Sequence, residues 1–258
     1  DSIKYCNADI AEELLLLSEN HYDSFFELLD DITEKTSVNN RQLSILTGLN
    51  FFSDFGKNKY LLNLIALYNG VKKKEGKSKS QKVLLPSLRN CKTIKKDNFE
   101  VFEDYGLSEY LVKKYSNKET KTQYGDIDNL GLLNEMASRL ENKSMSVIEQ
   151  CRFEKEYLEY VTYSNPAIAD FYYIVVDFKT YKDTTKPYLL LRNLKTGEEI
   201  KTKIKKGLIY EQKPFGEFAV LKIDGFTMVY KSKRINGKYH KTDELETILE
   251  NYEVIRNN

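Results

Sequence analysis

One change of periodicity, near Pro166, constrains the fold of this chain more than any other feature of its sequence. Before it, apolar residues recur at the three- and four-residue spacing of amphipathic helices. From Phe171 onward, apolar and polar residues alternate as in β-strands, in the segments FYYIVVDFKTY, PYLLLRNL, EEIKTKIK, EFAVLKID and FTMVYKSKR. The sequence therefore predicts an α+β chain in which a helical region precedes a small antiparallel β-barrel.

Turn signals separate the predicted strands. Asp224-Gly225 and Asn236-Gly237 are typical of two-residue hairpins, because both positions accept positive φ. Lys195-Thr196-Gly197 supplies a third turn. The last apolar segment, DELETILENYEVI, has acids at its start, where a helix dipole favours them, so we expect a C-terminal helix.

Capping signals indicate short helices in the first seventy residues. Asn7 is placed to cap a helix through ADIAEELLLLSE. Ser24 with Glu27, and Asn39 with Gln42, have the spacing of capping boxes.

The segment NRQLSILTGLNFFSDFG, residues 40–56, predicts a helix that Gly48 ends, followed by an aromatic corner. Another helix is expected from about Asn58 to Tyr68. We expect Phe51, Phe52 and Phe55 to fill the corner between these two helices.

Composition divides the chain further. Residues 1–70 form the first helical region, and residues 71–96 are a basic linker rich in Lys, Gly and Ser. Helical patterns return over residues 97–165, and the predicted barrel with its final helix occupies residues 166–258.

Charge is unevenly distributed, although the whole chain has a net charge of only +1. Residues 1–31 carry −8, whereas residues 71–96 carry +9 and residues 179–241 carry +10. Such basic segments favour a polyanionic partner.

The three cysteines, Cys6, Cys91 and Cys151, are too far apart for a metal motif or a disulfide framework, so we expect a reducing, cytoplasmic location. The LLLL run at 14–17 is far shorter than the roughly 20 residues of a membrane span, and no membrane partner is expected. The chain starts at Asp1 without Met and opens into a helical pattern, which suggests a fragment of a longer protein.

Three segments resemble, in the same order, parts of bacterial replicative DNA polymerase III α subunits, the C-family polymerases. Residues 3–32 resemble their helix-hairpin-helix region, and residues 40–64 resemble the segment that follows it. EKEYLEYVTYSNP, residues 154–166, resembles the stretch before their OB-fold domain, with Glu159 and Asn165 in place of a typical Gly and His. The resemblance covers about half of the chain.

The resemblance implies that residues 1–70 are helix-hairpin-helix-like and that the barrel is an OB-fold. Where the family hairpin has glycines, this chain has Tyr5, Cys6 and Asn7, so we do not expect phosphate binding there. The resemblance also places the catalytic carboxylates upstream, so this segment should contain no catalytic residue, metal ligand or cofactor. Magnesium is implied for the parent polymerase alone.

One pair of acids is a candidate metal site. Asp126 and Asp128 in GDIDN would share a face if both lay on one strand. The alternative is a polar turn after Gly125, and we give that interpretation more weight.

Basic and aromatic residues interleave in the predicted barrel, as in single-strand-binding OB-folds. The candidate DNA-binding side chains there are Lys179, Tyr181, Lys182, Lys186, Tyr188, Arg192, Tyr230, Lys231, Lys233, Arg234, Lys238 and Tyr239. Alternatively, lysines on such strands only maintain solubility and block edge pairing.

Two further sets of residues are candidates outside the barrel. Lys35, Arg41, Lys57 and Lys59 flank the predicted hairpins and could meet duplex phosphates. Within QKVLLP, the residues Gln81, Leu84 and Leu85 loosely resemble a sliding-clamp-binding peptide, although the usual terminal aromatic is missing.

These observations lead to one main hypothesis and two alternatives. The main hypothesis is the non-catalytic, DNA-binding portion of a polymerase III α-like protein, which grips primer–template and single-stranded DNA. Its other partners would be the rest of the polymerase chain and the sliding clamp. The alternatives are a stand-alone single-stranded-DNA-binding protein and an interaction scaffold without DNA contact.

Overall fold

A computed structural model describes residues 3–70, 88–96, 107–182, 184–204, 206–235 and 238–256, without the side chains of Arg234 and Ile235. The chain forms two compact units, which divide between Ser144 and Met145. The mixture of helices and strands confirms the α+β class.

The first unit packs helices around one apolar core and adds a small sheet. Its described α-helices are α1 (Ala8–Leu17), α2 (Phe25–Lys35), α3 (Asn40–Gly48), α4 (Asn58–Asn69), α5 (Glu109–Lys114) and α6 (Asn129–Ser138). Its described strands are β1 (Thr93–Lys95), β2 (Ser116–Glu119) and β3 (Gln123–Ile127). These strands are antiparallel in the order β1-β3-β2.

The capping predictions for the first three helices are confirmed. The Asn7 side chain accepts a hydrogen bond from the Ile10 amide, and Ser24 Oγ accepts one from the Glu27 amide. Asn39 begins α3 with a full capping box. These side chains satisfy amide groups that a helix leaves unpaired in its first turn.

The aromatic corner between α3 and α4 differs in one detail from its prediction. Gly48 is the last residue of α3, and Asn50 takes the left-handed conformation with φ 66°. Phe52 is buried, with its ring centroid 5.8 Å from that of Phe25, whereas Phe51 is 61 % exposed. Only part of the aromatic corner therefore contributes to the core.

Gly56 is required at the end of this corner. Its φ of 147° and ψ of −174° lie in a region that only glycine adopts readily. An added Cβ would also lie 2.9 Å from Cδ1 of Tyr60. The next amide, of Lys57, donates to Asn142 Oδ1 at 2.9 Å and fixes the start of α4.

The middle of the chain is less helical than its sequence predicts. Residues 88–96, assigned above to a linker, include a 3₁₀ turn at Leu88–Asn90 and strand β1, and they place Ile94 in the core of the first unit. Residues 107–165, predicted as helical, include the hairpin of β2 and β3. Pairing across this small sheet overrides the local helical pattern.

The second unit is built on one sheet. Its described strands are β4 (Tyr172–Lys179), β5 (Tyr188–Asn193), β6 (Glu199–Ile204), β7 (Val220–Lys222), β8 (Thr227–Ile235), β9 (Lys238–Leu249) and β10 (Glu253–Arg256). Their order is β10-β7-β4-β5-β6-β9-β8, antiparallel except for the parallel pair β6–β9. Helix α7 (Val147–Leu158) precedes the sheet, and α8 (Gly207–Gln212) lies between β6 and β7.

This sheet is strongly curled. Across a flat sheet, β7 and β8 would be five strand spacings apart, about 24 Å. Yet only residues 223–226 connect them, and the five steps from Lys222 to Thr227 span at most about 18 Å. In agreement, Phe226 beside β8 packs against Tyr173 on β4, with ring centroids 5.5 Å apart.

Three predictions about this unit need correction. The described strands form a curled sheet that does not close into a barrel, and the pair β6–β9 is parallel. Asp224-Gly225 is not a hairpin, because β7 and β8 on either side of it do not pair with each other. Lys195-Thr196-Gly197 does connect paired strands, and Gly197 has φ 77°, whereas Asn236-Gly237 lies outside the described residues.

The predicted C-terminal helix is wrong, because this segment forms the end of β9 and then β10. Its acids have partners across the sheet: Glu244 meets Lys231 at 2.8 Å and Glu246 meets Lys203 at 2.6 Å. These opposite charges offset the weak strand preference of glutamate.

Strand β4 is buried on both of its faces. Val175 belongs to the core enclosed by the curled sheet, together with Leu191 and Leu221. Ile174 packs on the other side with Cys151 of α7. In the part of the chain that the structure describes, no helix is long and apolar enough to cross a bilayer.

Candidate nucleic-acid interface

A groove of about 590 Å³ runs across the second unit, over strands β4, β5, β6, β8 and β9. Its basic and aromatic lining residues are Lys179, Tyr188, Lys201, Lys203 and Lys231. Asp177 and Glu246 are the acids that line it, so the groove has a net charge of +2. The structure thus brings together three of the residues that the sequence singled out, from three different strands.

Strand alternation explains why these side chains face the groove. On β5, Leu189 and Leu191 point into the core, which directs Tyr188 to the opposite face. On β6, Thr202 and Ile204 are buried, and the lysines beside them are turned outward.

Tyr188 offers an aromatic surface at one end of the groove. Its side chain is 47 % exposed, and the Tyr181 ring meets it edge-on at a centroid distance of 5.2 Å. The Lys203 ammonium lies 5.7 Å from the centre of the Tyr188 ring. An exposed ring next to cations is the arrangement on which a nucleobase can stack while its phosphate is neutralised.

The groove lysines differ in the partners they have. Lys179 contacts Asp177 at 2.8 Å, and this hydrogen bond raises the pKa of the lysine and lowers that of the aspartate. Lys203 contacts Glu246 at 2.6 Å. Lys201 is exposed and has no ion pair with any described residue. It is therefore the cation best placed to meet an incoming phosphate.

Lys231 contacts Glu244 at 2.8 Å, and both side chains are largely exposed. The hydrogen bond raises the pKa of Lys231 and lowers that of Glu244. Exposed pairs of this kind contribute little to stability, so Lys231 can exchange its carboxylate for a phosphate at small cost.

Arg192, in contrast, forms its hydrogen bonds and its ion pair within the protein. Its guanidinium donates to the backbone oxygens of Tyr163 at 2.9 Å and Thr162 at 2.8 Å, and it contacts Glu199 at 3.3 Å. Glu154 of α7 accepts hydrogen bonds from the amides of the same two residues. Arg192 thereby ties β5 to the segment before the sheet, a structural role.

Glu154 is buried and accepts three hydrogen bonds. Its Oε2 atom accepts from the amides of Thr162 at 2.6 Å and Tyr163 at 2.8 Å, and its Oε1 atom accepts from Gln150 Nε2 at 3.0 Å. Sequence reasoning missed this residue because the contacts join a helix to an irregular segment eight residues away. The carboxylate completes a network that positions the start of the sheet.

The remaining sequence candidates of this unit lie on the β4–β5 connection and on strands β8 and β9. Tyr181, Lys182 and Lys186 belong to the β4–β5 connection. Tyr230, Lys233, Lys238 and Tyr239 are exposed on β8 and β9, and Arg234 lies on β8 with its side chain outside the described part.

The candidates of the first unit have different surroundings. Lys35 pairs with Asp31 at 2.7 Å, and the Arg41 guanidinium lies 3.6 Å from the centre of the Tyr5 ring. Lys57 precedes α4, and Lys59 lies in the first turn of that helix. The clamp-binding candidates Gln81, Leu84 and Leu85 lie outside the described residues.

Hydrogen bonds within the protein hold the turn before α1. Tyr5 has φ 69°, a conformation that glycine adopts without strain. The Cys6 amide donates to the Ile3 oxygen at 3.1 Å, and Gln42 Nε2 donates to the Tyr5 oxygen at 2.8 Å. The Arg41 guanidinium lies over the Tyr5 ring, and both side chains are exposed, so these contacts tie the turn to the start of α3 at the surface.

Asp126 and Asp128 do not share a strand face. Asp126 ends the regular part of β3 with φ 53°, whereas Asp128 caps α6 by accepting from the Gly131 amide at 3.0 Å. The chain does not turn directly after Gly125, because β3 continues through Asp126 to Ile127, and Asp128 then begins α6. Within the described ranges, no group of three or more His, Cys, Asp or Glu side chains is arranged to hold a metal ion.

Sequence reasoning also missed Lys201 and Lys203. The segment EEIKTKIK carries the signal, because its period of two places both lysines on one face. That this face borders a groove depends on the parallel pairing of β6 with β9, which local sequence does not reveal. Comparisons with family models, with curated proteins and with solved structures found no match to this chain.

Proposed function

We propose that this chain is the non-catalytic, DNA-binding portion of a bacterial DNA polymerase III α-like protein, with single-stranded DNA held in the groove of its second unit. The ordered resemblance of residues 3–32, 40–64 and 154–166 to that family supports the polymerase assignment. The groove supports the DNA-binding role independently of any resemblance.

The strand order of the second unit supports an OB-like architecture. Strands β4, β5 and β6 form a meander, and β9 returns to pair with β6. If β7 and β8 are two halves of one strand interrupted at residues 223–226, the sheet has five main strands in the order 1-2-3-5-4. The first half of the fourth strand then lies beside the first, as in a partly open Greek-key barrel.

The position of the groove carries the proposal. OB-folds bind oligonucleotides on the face of their second and third strands and with the loops between strands 1 and 2 and between strands 4 and 5. The groove lies over two of the corresponding elements, β5 and β6, and the β4–β5 connection lies beside it. Tyr188, Lys201 and Lys203 lie on the strands, and Tyr181 lies on the first connection.

The chemistry of the groove suits a single strand. Each base stacked on an aromatic ring contributes about 1–3 kcal/mol, and such stacking tolerates any base sequence. The four groove lysines would neutralise phosphates along the strand. If all four did so, affinity for single-stranded DNA would fall about 50-fold between 50 and 200 mM salt, at a slope of about 0.7 per phosphate.

The test is a fluorescence-anisotropy titration of a labelled single-stranded oligonucleotide at several salt concentrations. The double variant Lys201→Gln/Lys203→Gln should weaken binding and reduce the salt slope by about 1.4. The matched control, Lys118→Gln/Lys121→Gln, removes two exposed lysines from the first unit and should change neither. Absence of binding at 50 mM salt, or an unchanged slope in the groove variant, would refute the DNA-binding role.

A second assay tests the polymerase assignment. The purified chain should not extend a primer in the presence of magnesium and nucleotides, because the proposal places the catalytic carboxylates elsewhere in the parent protein. Primer extension by the chain alone would contradict the proposal.

A further inference from the structure

Strands β8 and β9 continue beyond the sheet as a two-stranded ribbon, residues 230–235 and 238–245. Strand β9 pairs with β6 only at Thr247, Ile248 and Leu249. From Leu245 to Lys238 its described partner is β8 alone, and β8 is the last strand of the sheet. Seven residue steps separate Leu245 from Lys238, so the ribbon is about 23 Å long.

The ribbon is basic and exposed on both faces. Cross-strand partners point to the same face, so Lys233, His240 and Lys238 share one face, and Tyr239 and Lys241 share the other. All of these side chains are exposed, and Tyr239 is 74 % exposed. Residues 231–241 contain five basic residues and no acid. The acids of the ribbon, Asp243 and Glu244, lie at its base, where Glu244 pairs with Lys231.

A ribbon with cations on both faces fits a partner that surrounds it. A single strand lying over one surface would need cations on one face only, as in the groove. The major groove of B-form DNA is about 12 Å wide and 8.5 Å deep, admits a two-stranded β-ribbon, and has a phosphate backbone along each wall.

We infer that the β8–β9 ribbon inserts into the major groove of B-form duplex DNA, separately from the single strand in the groove. This inference rests on the proposed DNA-binding function and adds to it a second, duplex-specific contact. Lys233 and Lys238 face one phosphate wall, and Lys241 faces the other. Tyr239 gives the second face a hydroxyl group that can donate a hydrogen bond to a base edge or a phosphate.

Edge protection explains only part of this arrangement. Both strands of the ribbon are edges, because from Leu245 to Lys238 the described partner of β9 is β8 alone, so lysines on either strand would block pairing with other chains. Edge protection does not call for the exposed Tyr239 ring among these cations, whereas a DNA duplex offers a tyrosine phosphates and base edges to contact.

The test compares three labelled probes: a single-stranded DNA, a B-form DNA duplex and an RNA duplex of the same length. A-form RNA has a deep, narrow major groove that excludes the ribbon, so the RNA duplex controls for charge alone. The ribbon variant is Lys233→Gln/Lys238→Gln/Lys241→Gln. The matched control is Lys92→Gln/Lys118→Gln/Lys121→Gln, three exposed lysines of the first unit.

The ribbon variant should lose affinity for the DNA duplex and keep its affinity for single-stranded DNA within about twofold. With three phosphate contacts removed, the salt slope of duplex binding should fall by about 2.7. Between 50 and 200 mM salt, the affinity of the wild type for the duplex should therefore drop about 40-fold more than the affinity of the variant. The wild-type protein should prefer the DNA duplex to the RNA duplex, and the control variant should match the wild type. Unchanged circular dichroism establishes that both variants are folded.

Three results would overturn the inference while leaving the proposed function intact. These are unchanged duplex binding by the ribbon variant, an equal loss of single-strand and duplex binding, and equal wild-type affinity for the two duplexes. Failure of the wild-type protein to bind single-stranded DNA would instead refute the proposed groove. In that case, duplex binding lost in the ribbon variant would still support the ribbon contact.

Discussion

Replacing Glu154 tests whether the second unit depends on the network before its sheet. In Glu154→Ala, the amides of Thr162 and Tyr163 lose their shared acceptor, the Oε2 atom that lies 2.6 and 2.8 Å from them. Each unpaired and partly buried amide costs about 1–2 kcal/mol, toward the lower end of the usual range because Thr162 is exposed. We therefore expect Glu154→Ala to destabilise the second unit by about 2–4 kcal/mol.

The conservative variant separates charge from hydrogen bonding. Glu154→Gln keeps an oxygen acceptor for the two amides, and its NH2 group replaces the oxygen that accepts from Gln150, whose side-chain amide can turn its own oxygen toward that group. The charge assistance is lost, so this variant should cost about 1 kcal/mol. Urea unfolding followed by circular dichroism measures both changes, fitted with two transitions because the chain has two compact units. Hydrogen exchange at the amides of Thr162 and Tyr163 reports the local effect, which should be faster exchange in the alanine variant.

A loss below about 0.5 kcal/mol in Glu154→Ala would refute this reasoning, since changes of that size are typical of surface positions. Equal losses in the two variants would also contradict it, because they would show that the charge, and not the acceptor, stabilises the segment. Gln150→Ala, which leaves both amide contacts in place, is the control and should lose less than Glu154→Ala.

Three further changes have defined outcomes. Tyr188→Ala should weaken single-strand binding by about 1–3 kcal/mol while Tyr188→Phe keeps it, and equal effects would exclude stacking. Gly56→Ala should lower the free energy of unfolding by about 1–3 kcal/mol in urea titration, because its φ of 147° disfavours a side chain and the new Cβ would approach Tyr60. The Lys114 hydrogen bond lowers the pKa of Glu135 to about 2, so its stabilisation is present above about pH 4.5 and is lost as the pH falls toward 2. The melting temperatures of wild type and Glu135→Gln should converge over that range, and a difference that persists at pH 2 would contradict this assignment.

Local signals predicted much of the helical structure. Asn7, Ser24 and Asn39 begin helices because a capping side chain and its target amide are only two or three residues apart. The alternation from Phe171 to Arg234 likewise predicted several strands of the sheet. The predictions fail where the structure of a segment depends on residues that are distant in the sequence. The segment DELETILENYEVI has helical signals of its own, yet Glu244 and Glu246 find lysines on other strands and the segment extends β9.

Some residues of the candidate groove were predicted from the sequence, but the groove itself was not. Tyr188, Lys179 and Lys231 stood out because basic and aromatic residues interleave along their strands. Their meeting in one groove requires the curl of the sheet and the return of β9 beside β6, a parallel pairing between residues about 45 positions apart. Arg192 shows the opposite error, since its type and position suit DNA binding while its contacts lie within the protein.

Helix α7 is part of the second unit, and this determines where the chain can be cut when one unit is produced alone or transferred to another protein. Cys151 and Ile148 of this helix pack with Ile174, so α7 belongs to the sheet although it precedes it by more than ten residues. Excision at residue 165, where the periodicity changes, would remove that packing and Glu154 with it. A transferable block would instead begin at Met145, whereas a first block ending at residue 70 would lose Leu88 and Ile94 from its core.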